Sequence, residues 1–253
     1  MAAERDTELL RRIEAAAIRA WPPEHMRSIE GWLLCIGGFA TKRLRSARTL
    51  DLAPGADLDE AIGEVERRLA ERGWPACFHI TDIVTPGDLD ARLAARGYER
   101  VSPTSVMLLD LVDPLPADSS IELHTRVTQP VMNAIADRLW SAEARAERVA
   151  IFGRIRRPHR FALAWVEGEP AAAGLCVRDG DLAGIFAMRT RERFRGRGLA
   201  GRVLSRLAGW ARAEGAASIY LQVEDDNPPA QALYRRLGFR RLYGYHYRER
   251  DLR

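Results

Sequence analysis

Arg195-Gly196-Arg197-Gly198-Leu199-Ala200 stands between an apolar run, Leu182 to Met188, and a long amphipathic segment, Leu199 to Ala213. That order predicts a strand, a tight turn and a helix. A turn of this kind leaves backbone N–H groups unpaired at the helix start. They point outward, and the helix dipole favours an anion there. Glycine has no Cβ, so a ligand can approach the backbone closely. The reading is a cradle for a pyrophosphate.

Outward from this stretch, composition excludes several classes. The chain has 253 residues, 47% apolar and 29% charged, which suits one large or two ordinary globular domains. Its longest uncharged apolar run, Gly31 to Ala40, is too short to cross a bilayer, so no membrane partner is expected. The start, Met1-Ala2-Ala3-Glu4-Arg5-Asp6, has acids and no apolar core, unlike a secretory signal. Cys35, Cys77 and Cys176 are far apart, each in an apolar run and without metal-ligand spacing. They predict buried thiols in a reducing cytoplasm, and no metal. The net charge is only +4, and Lys42 is the sole lysine. Arginines alternate with acids along most helices, so nucleic acid is not implied. The locally basic exception is Arg189 to Arg197, with five arginines against Glu192, beside the cradle. Phe194 is its only aromatic residue, which argues against a stacking surface for nucleic acid.

In the first half, helical spacing runs from Glu8 to Ala20 and stops at Trp21-Pro22-Pro23. Trp32 to Ile36 and Phe39 to Arg45 read as strands around Gly37-Gly38, with Leu50 to Leu52 as a short third. Leu58 to Arg72 carries a helical stripe. Cys77 to Thr81 is a strand, Leu89 to Arg96 a helix and Val106 to Leu111 a strand. Residues 113–120, with Pro114 and Pro116, read as a linker between domains 1–112 and 121–253. The second half predicts strands at Ile121–Thr125, Phe161–Val166, Ala172–Val177, Leu182–Thr190, Ile219–Val223 and Arg240–Tyr247. Helices are predicted at Val131–Trp140, Glu143–Phe152, Leu199–Glu214 and Ala230–Leu237.

The halves repeat. Gly73 pairs with Gly215, Cys77–Thr81 with Ile219–Val223, Leu89–Arg96 with Ala230–Leu237, and Gly97-Tyr98 with Gly238-Phe239. The spacing between the paired glycines is 24 residues in one half and 23 in the other. At the cradle's place the first half has Ala53-Pro54-Gly55-Ala56, with no arginine and a proline that lacks an N–H.

Two motifs in the second half resemble the GNAT superfamily of N-acetyltransferases. One is the acetyl-CoA signature Q/R-x-x-G-x-G/A, met by Arg195, Gly198 and Ala200. The other is Asn227-x-x-Ala230-x-x-Leu233-Tyr234-x-x-x-Gly238-Phe239. The resemblance covers about residues 121–250 and extends loosely through the repeat. It implies an α/β fold (an α+β mixed sheet): a twisted mixed sheet flanked by helices, here in two tandem copies with a degenerate first. Acetyl-CoA would enter where the central strands splay. Met188, Arg189 and Thr190 would offer backbone groups to the pantetheine arm and the thioester carbonyl. Backbone N–H groups of Gly196, Arg197, Gly198, Leu199, Ala200 and Gly201 would hold the pyrophosphate, with Arg195 and Arg197 attracting the anion. Asn227 would line the pantetheine channel, and Tyr234 stands where the family's general acid often lies.

The implied reaction is direct attack of a primary amine, from a small molecule or a peptide or protein, on the thioester. Some family members place a glutamate base five residues before the asparagine; here Gln222 stands there. Glu224 or a water relay is left as the base, and Glu143 and Glu147 could face the acceptor groove. The alternative is a non-catalytic acyl-CoA sensor. Asn227 could equally be a helix cap and Tyr234 a packing residue. Cys176 reads as core, and His159 and His246 as isolated. One active site per chain is expected, in a monomer or homodimer.

Overall fold

A computed structural model of the chain describes residues 2–39, 41–113, 118–136 and 140–252. Their strands form one sheet. In chain order these are β1 (His25–Ile29), β2 (Trp32–Ile36), β3 (Ala47–Arg48), β4 (Ala76–Thr81), β5 (Glu99–Asp110) and β6 (Glu122–His124). Then come β7 (His159–Val166), β8 (Glu169–Asp179), β9 (Leu182–Thr190), β10 (Ser218–Glu224) and β11 (Arg240–Arg250). The spatial order is β1-β2-β3-β4-β11-β5-β10-β9-β8-β7-β6. Pairing is parallel between β3 and β4 and between β9 and β10, and antiparallel elsewhere, so the sheet is mixed as expected.

Read outward from its centre, the sheet has matching arms. On one side β4, β3, β2 and β1 follow β11; on the other β10, β9, β8 and β7 follow β5. The two central strands are exchanged. β11, at the end of the second half, pairs with β4, and β5, from the first half, pairs with β10. The registers Tyr245↔Thr81 and Leu221↔Met107 fix these crossings.

The helices are α1 (Ala2–Ala20), α2 (Leu58–Ala70), α3 (Leu89–Ala95), α4 (Gln129–Ile135), α5 (Ala142–Arg154), α6 (Leu199–Ala213) and α7 (Pro228–Arg236). In α1, Leu10, Ile13, Ala17 and Ala20 fall at helical spacing and are buried, which is why the segment needs a covered face. That face lies on β8 and β9, in the other half of the chain. Arg12 and Arg19 lock the crossing by pairing with Asp181 and Asp179. α6 lies on β7 to β10, where Val203, Leu204, Leu207 and Ala211 enter an apolar cluster with Ile185, Ile219 and Leu221.

Local expectations need correction in the first half. Phe39 to Arg45 is not a strand: Lys42–Leu44 form one turn of 3-10 helix, and Ala40 lies outside the described residues. Leu50 to Leu52 is not a strand either, because the third ladder is made by Ala47–Arg48. There the burial of Arg48 hides the apolar alternation that sequence reading needs. β1 carries no apolar alternation in the sequence, because four of its five side chains are exposed on an edge. The helix expected over Val131–Trp140 ends at Ile135, and residues 137–139 lie outside the described set. Within the expected linker, residues 114–117 are likewise outside it. All three cysteines are buried and unbridged. Among the described residues, no helix is long and apolar enough to cross a membrane.

Candidate active site

The sheet opens beyond the parallel β9–β10 ladder. Pairing runs from Leu182 to Ile185 against Ser218 to Leu221 and goes no further. On the other side of β9 the ladder with β8 shifts register between Ala173 and Leu175. Ala187 adopts φ 51°, the left-handed region that L-residues avoid, so this is a strained bulge. Neither ladder includes Ala187 or Met188. Their backbone groups are thereby released from the sheet at the point where the strands part. Gly174 lies opposite, and a Cβ there would displace the Met188 side chain.

Beyond the bulge the chain turns into α6. Gly196 and Gly198 have φ 77° and 71°, a left-handed geometry that glycine adopts without penalty. Gly198 is the N-cap, its residue type supplies no side-chain cap, and the first turn contains no acid. The leading N–H groups of the helix therefore face outward without an internal anion. A cavity of about 750 Å³ opens on them. Met188, Arg189, Thr190, Arg195, Gly196, Gly198, Leu199, Ala200, Gly201, Asn227 and Tyr234 all line it. Arg197 does not: its guanidinium lies 3.5 Å from Glu167 and stacks on Phe194. Arg191 and Arg193 also stack on Phe194 and pair with Glu169, so three arginines of the basic stretch are tied to local acids.

A second cavity, about 520 Å³, adjoins the first at Met188, Asn227, Ala230 and Tyr234. Asn227 is the N-cap of α7. Its Oδ1 accepts from Ala230 N at 3.2 Å, capping α7, and the residue lines both cavities. Tyr234 is 8% exposed, and burial pushes its phenol up to about 12. It stays protonated through the neutral range and can donate a hydrogen bond.

The second cavity also has walls that sequence reading did not find. Trp21 directly follows α1, Arg43 comes from the 3-10 turn, Arg148 from α5, Phe186 from β9, and Tyr245 and Tyr247 from β11. The one readable signal was Tyr243-x-Tyr245-x-Tyr247, an alternation that puts three phenols on one face of a strand. Gln222 lines this cavity, with its Oε1 accepting from the Tyr245 hydroxyl at 3.2 Å. Glu224 lines it too, whereas Glu143 and Glu147 do not. The Ser141 hydroxyl holds the Glu143 carboxyl low at the start of α5, and Glu147 packs against Gly38.

Under the cavity floor lies a buried polar cluster. Glu14 of α1 accepts from Arg48 Nη1 at 3.1 Å and from the Tyr243 hydroxyl at 2.6 Å. His79 Nε2 is 3.8 Å from the same carboxylate, and its ring lies 4.3 Å from that of Tyr245. Burial, with Arg48 and Arg43 nearby, lowers the His79 pKa well below the usual range and keeps the ring neutral. Removing one partner of the Arg48–Glu14 pair would strand a buried charge at a cost of about 3–5 kcal/mol. The cluster thus ties α1, β3 and β11 beneath Tyr245. His246 belongs elsewhere: its Nε2 is 2.7 Å from Asp90, on the α3 side of β11. Among the described residues, no group of three or more His, Cys, Asp or Glu could hold a metal ion.

This arrangement has known counterparts. A protein-family profile described as "Probable histone acetyltransferase Rv0428c C-terminal" matches residues 7–250. "Uncharacterized N-acetyltransferase YobR" of Bacillus subtilis is 30% identical over 248 residues, spanning 94% of this chain and 98% of that protein. Among solved structures, a "GCN5-related N-acetyltransferase from Kribbella flavida" superposes with TM-score 0.68 at 17% identity, covering 96% of this chain and 95% of the other. A "Tandem GNAT protein from the clavulanic acid biosynthesis pathway" superposes with TM-score 0.67 at 14% identity, covering 93% and 87%. At such identities the solved structures show a shared fold.

Proposed function

This chain belongs to the GNAT superfamily of N-acetyltransferases and is an acetyltransferase; on that footing we propose that it moves an acetyl group from acetyl-CoA to a primary amine by direct attack in a ternary complex. The observation that carries this reading is the meeting of two cavities at Met188, Asn227 and Tyr234. One opens on the uncapped helix start of α6, the other on the aromatic and cationic wall beyond.

In this reading the pyrophosphate of coenzyme A rests on the N–H groups at the start of α6, and the pantetheine arm passes Asn227. The thioester carbonyl lies at the bulge, where backbone donors near Met188 stabilise the charge that grows on its oxygen. Holding amine and thioester in adjoining cavities removes much of the entropic barrier. Tyr234 faces the leaving sulfur. A phenol at about 12 is a weaker acid than an ordinary thiol near about 8.5, so its part is to donate a hydrogen bond to the thiolate rather than to lose its proton outright. Glu224 is the carboxylate in the acceptor wall and takes the amine proton, directly or through water. The chain reads as two tandem copies, 1–112 and 121–253, of which only the second keeps the cradle.

The test is CoA release from acetyl-CoA over a panel of amines, with Tyr234→Phe as the control. Turnover that this substitution cuts steeply supports the reading. Stabilisation by acetyl-CoA with no CoA release from any amine sinks it and leaves an acyl-CoA sensor.

A further inference from the structure

We propose that the acceptor is an amine whose own molecule carries an oxyanion, a carboxylate or a phosphate, held by Arg43 and Arg148; this rests on the acetyl-transfer reading above. Both arginines line the second cavity. Arg43 Cζ lies 5.9 Å from the Trp21 ring and 5.8 Å from the Phe186 ring, and Arg148 Cζ lies 5.6 Å from the same indole. Two guanidinium groups thus converge on one aromatic wall. Arg148 also stacks on Trp140 at 4.4 Å.

Their neighbours show what is missing. Lys42 lies 3.8 Å from Glu249, Arg45 is 2.9 Å from the same carboxylate, and Arg48 pairs with Glu14. Among the described residues, no carboxylate lies within ion-pairing distance of Arg43 or Arg148. Among the described residues that line this wall, the acid is Glu224, at the exposed end of β10. Burial works against the charge on Arg148; the adjacent Glu147 carboxylate offsets part of that, and Arg43 adds to the cost. Like charges brought together in a partly desolvated cavity are costly unless an anion joins them. Guanidinium groups grip carboxylate and phosphate through paired N–H donors.

Position gives the rest of the argument. Phe186, under Arg43, is followed directly by the bulge at Ala187 and Met188, where the thioester carbonyl would lie. An anion at the arginines and an amine at the bulge therefore belong to one compact molecule. A cavity of about 520 Å³ suits such a ligand. A lysine in a cationic tail, the acceptor that the family description's word "histone" suggests, would meet repulsion instead.

The test uses the whole chain and matched amines: β-alanine and phosphoethanolamine against propylamine and 1,3-diaminopropane. Wild type is expected to favour the anionic amines in kcat/KM by about 10- to 100-fold, the worth of a charge-assisted contact. Arg148→Gln and Arg43→Gln should each collapse that ratio, while Arg148→Lys keeps part of it. Stabilisation by acetyl-CoA shows that each variant is folded. Turnover without preference, or with preference for the diamine, overturns this inference and leaves acetyl transfer standing. If no amine yields CoA, acetyl transfer itself fails, and the melting temperature with acetyl-CoA present decides the anion site. A rise with β-alanine or phosphoethanolamine that Arg148→Gln abolishes supports it; no rise overturns it.

Discussion

The starts of α2 and α6 occupy matching places in the two halves of the chain. Each helix connects two parallel neighbours in the sheet, β3 to β4 and β9 to β10. They differ in what faces their first N–H groups. At α2 the N-cap is Asp57, whose Oδ1 accepts from Asp59 N at 2.8 Å and Glu60 N at 3.1 Å. Asp59 and Glu60 add negative charge to the same turn. At α6 the N-cap is a left-handed glycine and no acid is present. In the first half a carboxylate fills the helix start, whereas in the second no side-chain cap and no first-turn acid does. Counting back four residues from Gly97 and Gly238 sets the fully buried Leu93 against Tyr234. The two places that carry the proposed chemistry are the two where the halves part company.

The comparison can be broken at four points. Tyr234→Phe makes the second half chemically like the first, and should cut kcat by about 100- to 1000-fold with acetyl-CoA affinity unchanged, as steady-state kinetics and calorimetry would show. With the phenol at about 12, the wild-type pH–rate profile should have no descending limb from Tyr234 through the neutral and mildly alkaline range. Gly198→Asp places the carboxylate of α2 at the start of α6. It should weaken acetyl-CoA binding by about 100-fold, measured by titration calorimetry, since charged hydrogen-bonded contacts are lost to an internal competitor. The reverse change, Asp57→Ala, should cost about 1 kcal/mol in chemical denaturation. It should leave the stoichiometry at one acetyl-CoA per chain, because Asp59, Glu60 and Pro54 remain.

The smallest effect probes the seam. Asp90 of α3 accepts from Arg248 Nε at 2.7 Å and from Nη2 at 3.0 Å, which holds its carboxyl down to about 2 against an ordinary 3.8. The folded pKa is the lower one. Its contribution to stability is therefore complete above about pH 4 and is lost as the pH falls toward about 2. The carboxylate is 38% exposed, so after solvent screening Asp90→Asn should cost about 1 kcal/mol or less at neutral pH. The difference between wild type and variant should vanish in acid denaturation series.

The cradle, α6 and α7 were legible because their signals are local. Glycine fixes a left-handed turn, apolar periodicity fixes a helix, and Asn227 three residues before Ala230 fixes a cap. That is why eleven of the twelve expected site residues line one cavity. Arg197 does not, because charge near a phosphate loop says nothing about which acid takes it, and Glu167 does. The wall of the second cavity was illegible for another reason. Trp21, Arg43, Arg148 and Tyr245 come from four distant segments, and only the sheet order brings them together. The exchange of β5 and β11 was hidden too. Either pairing satisfies the same apolar pattern, and Ser102, at φ 51°, and Pro103 interrupt the alternation of β5, so its sequence signal covers only the later part of the strand.

That exchange has a consequence for how the molecule comes apart. β11 has β4 and β5 as neighbours, both supplied by residues before the 113–120 connection. Severing the backbone in that connection would leave two pieces clasped by three antiparallel ladders, co-eluting and intact in function. Producing residues 121–253 without the rest would strip β10 and β11 of every partner they share with the first half. The cradle, though it draws no side chain from residues 1–112, would be lost with them.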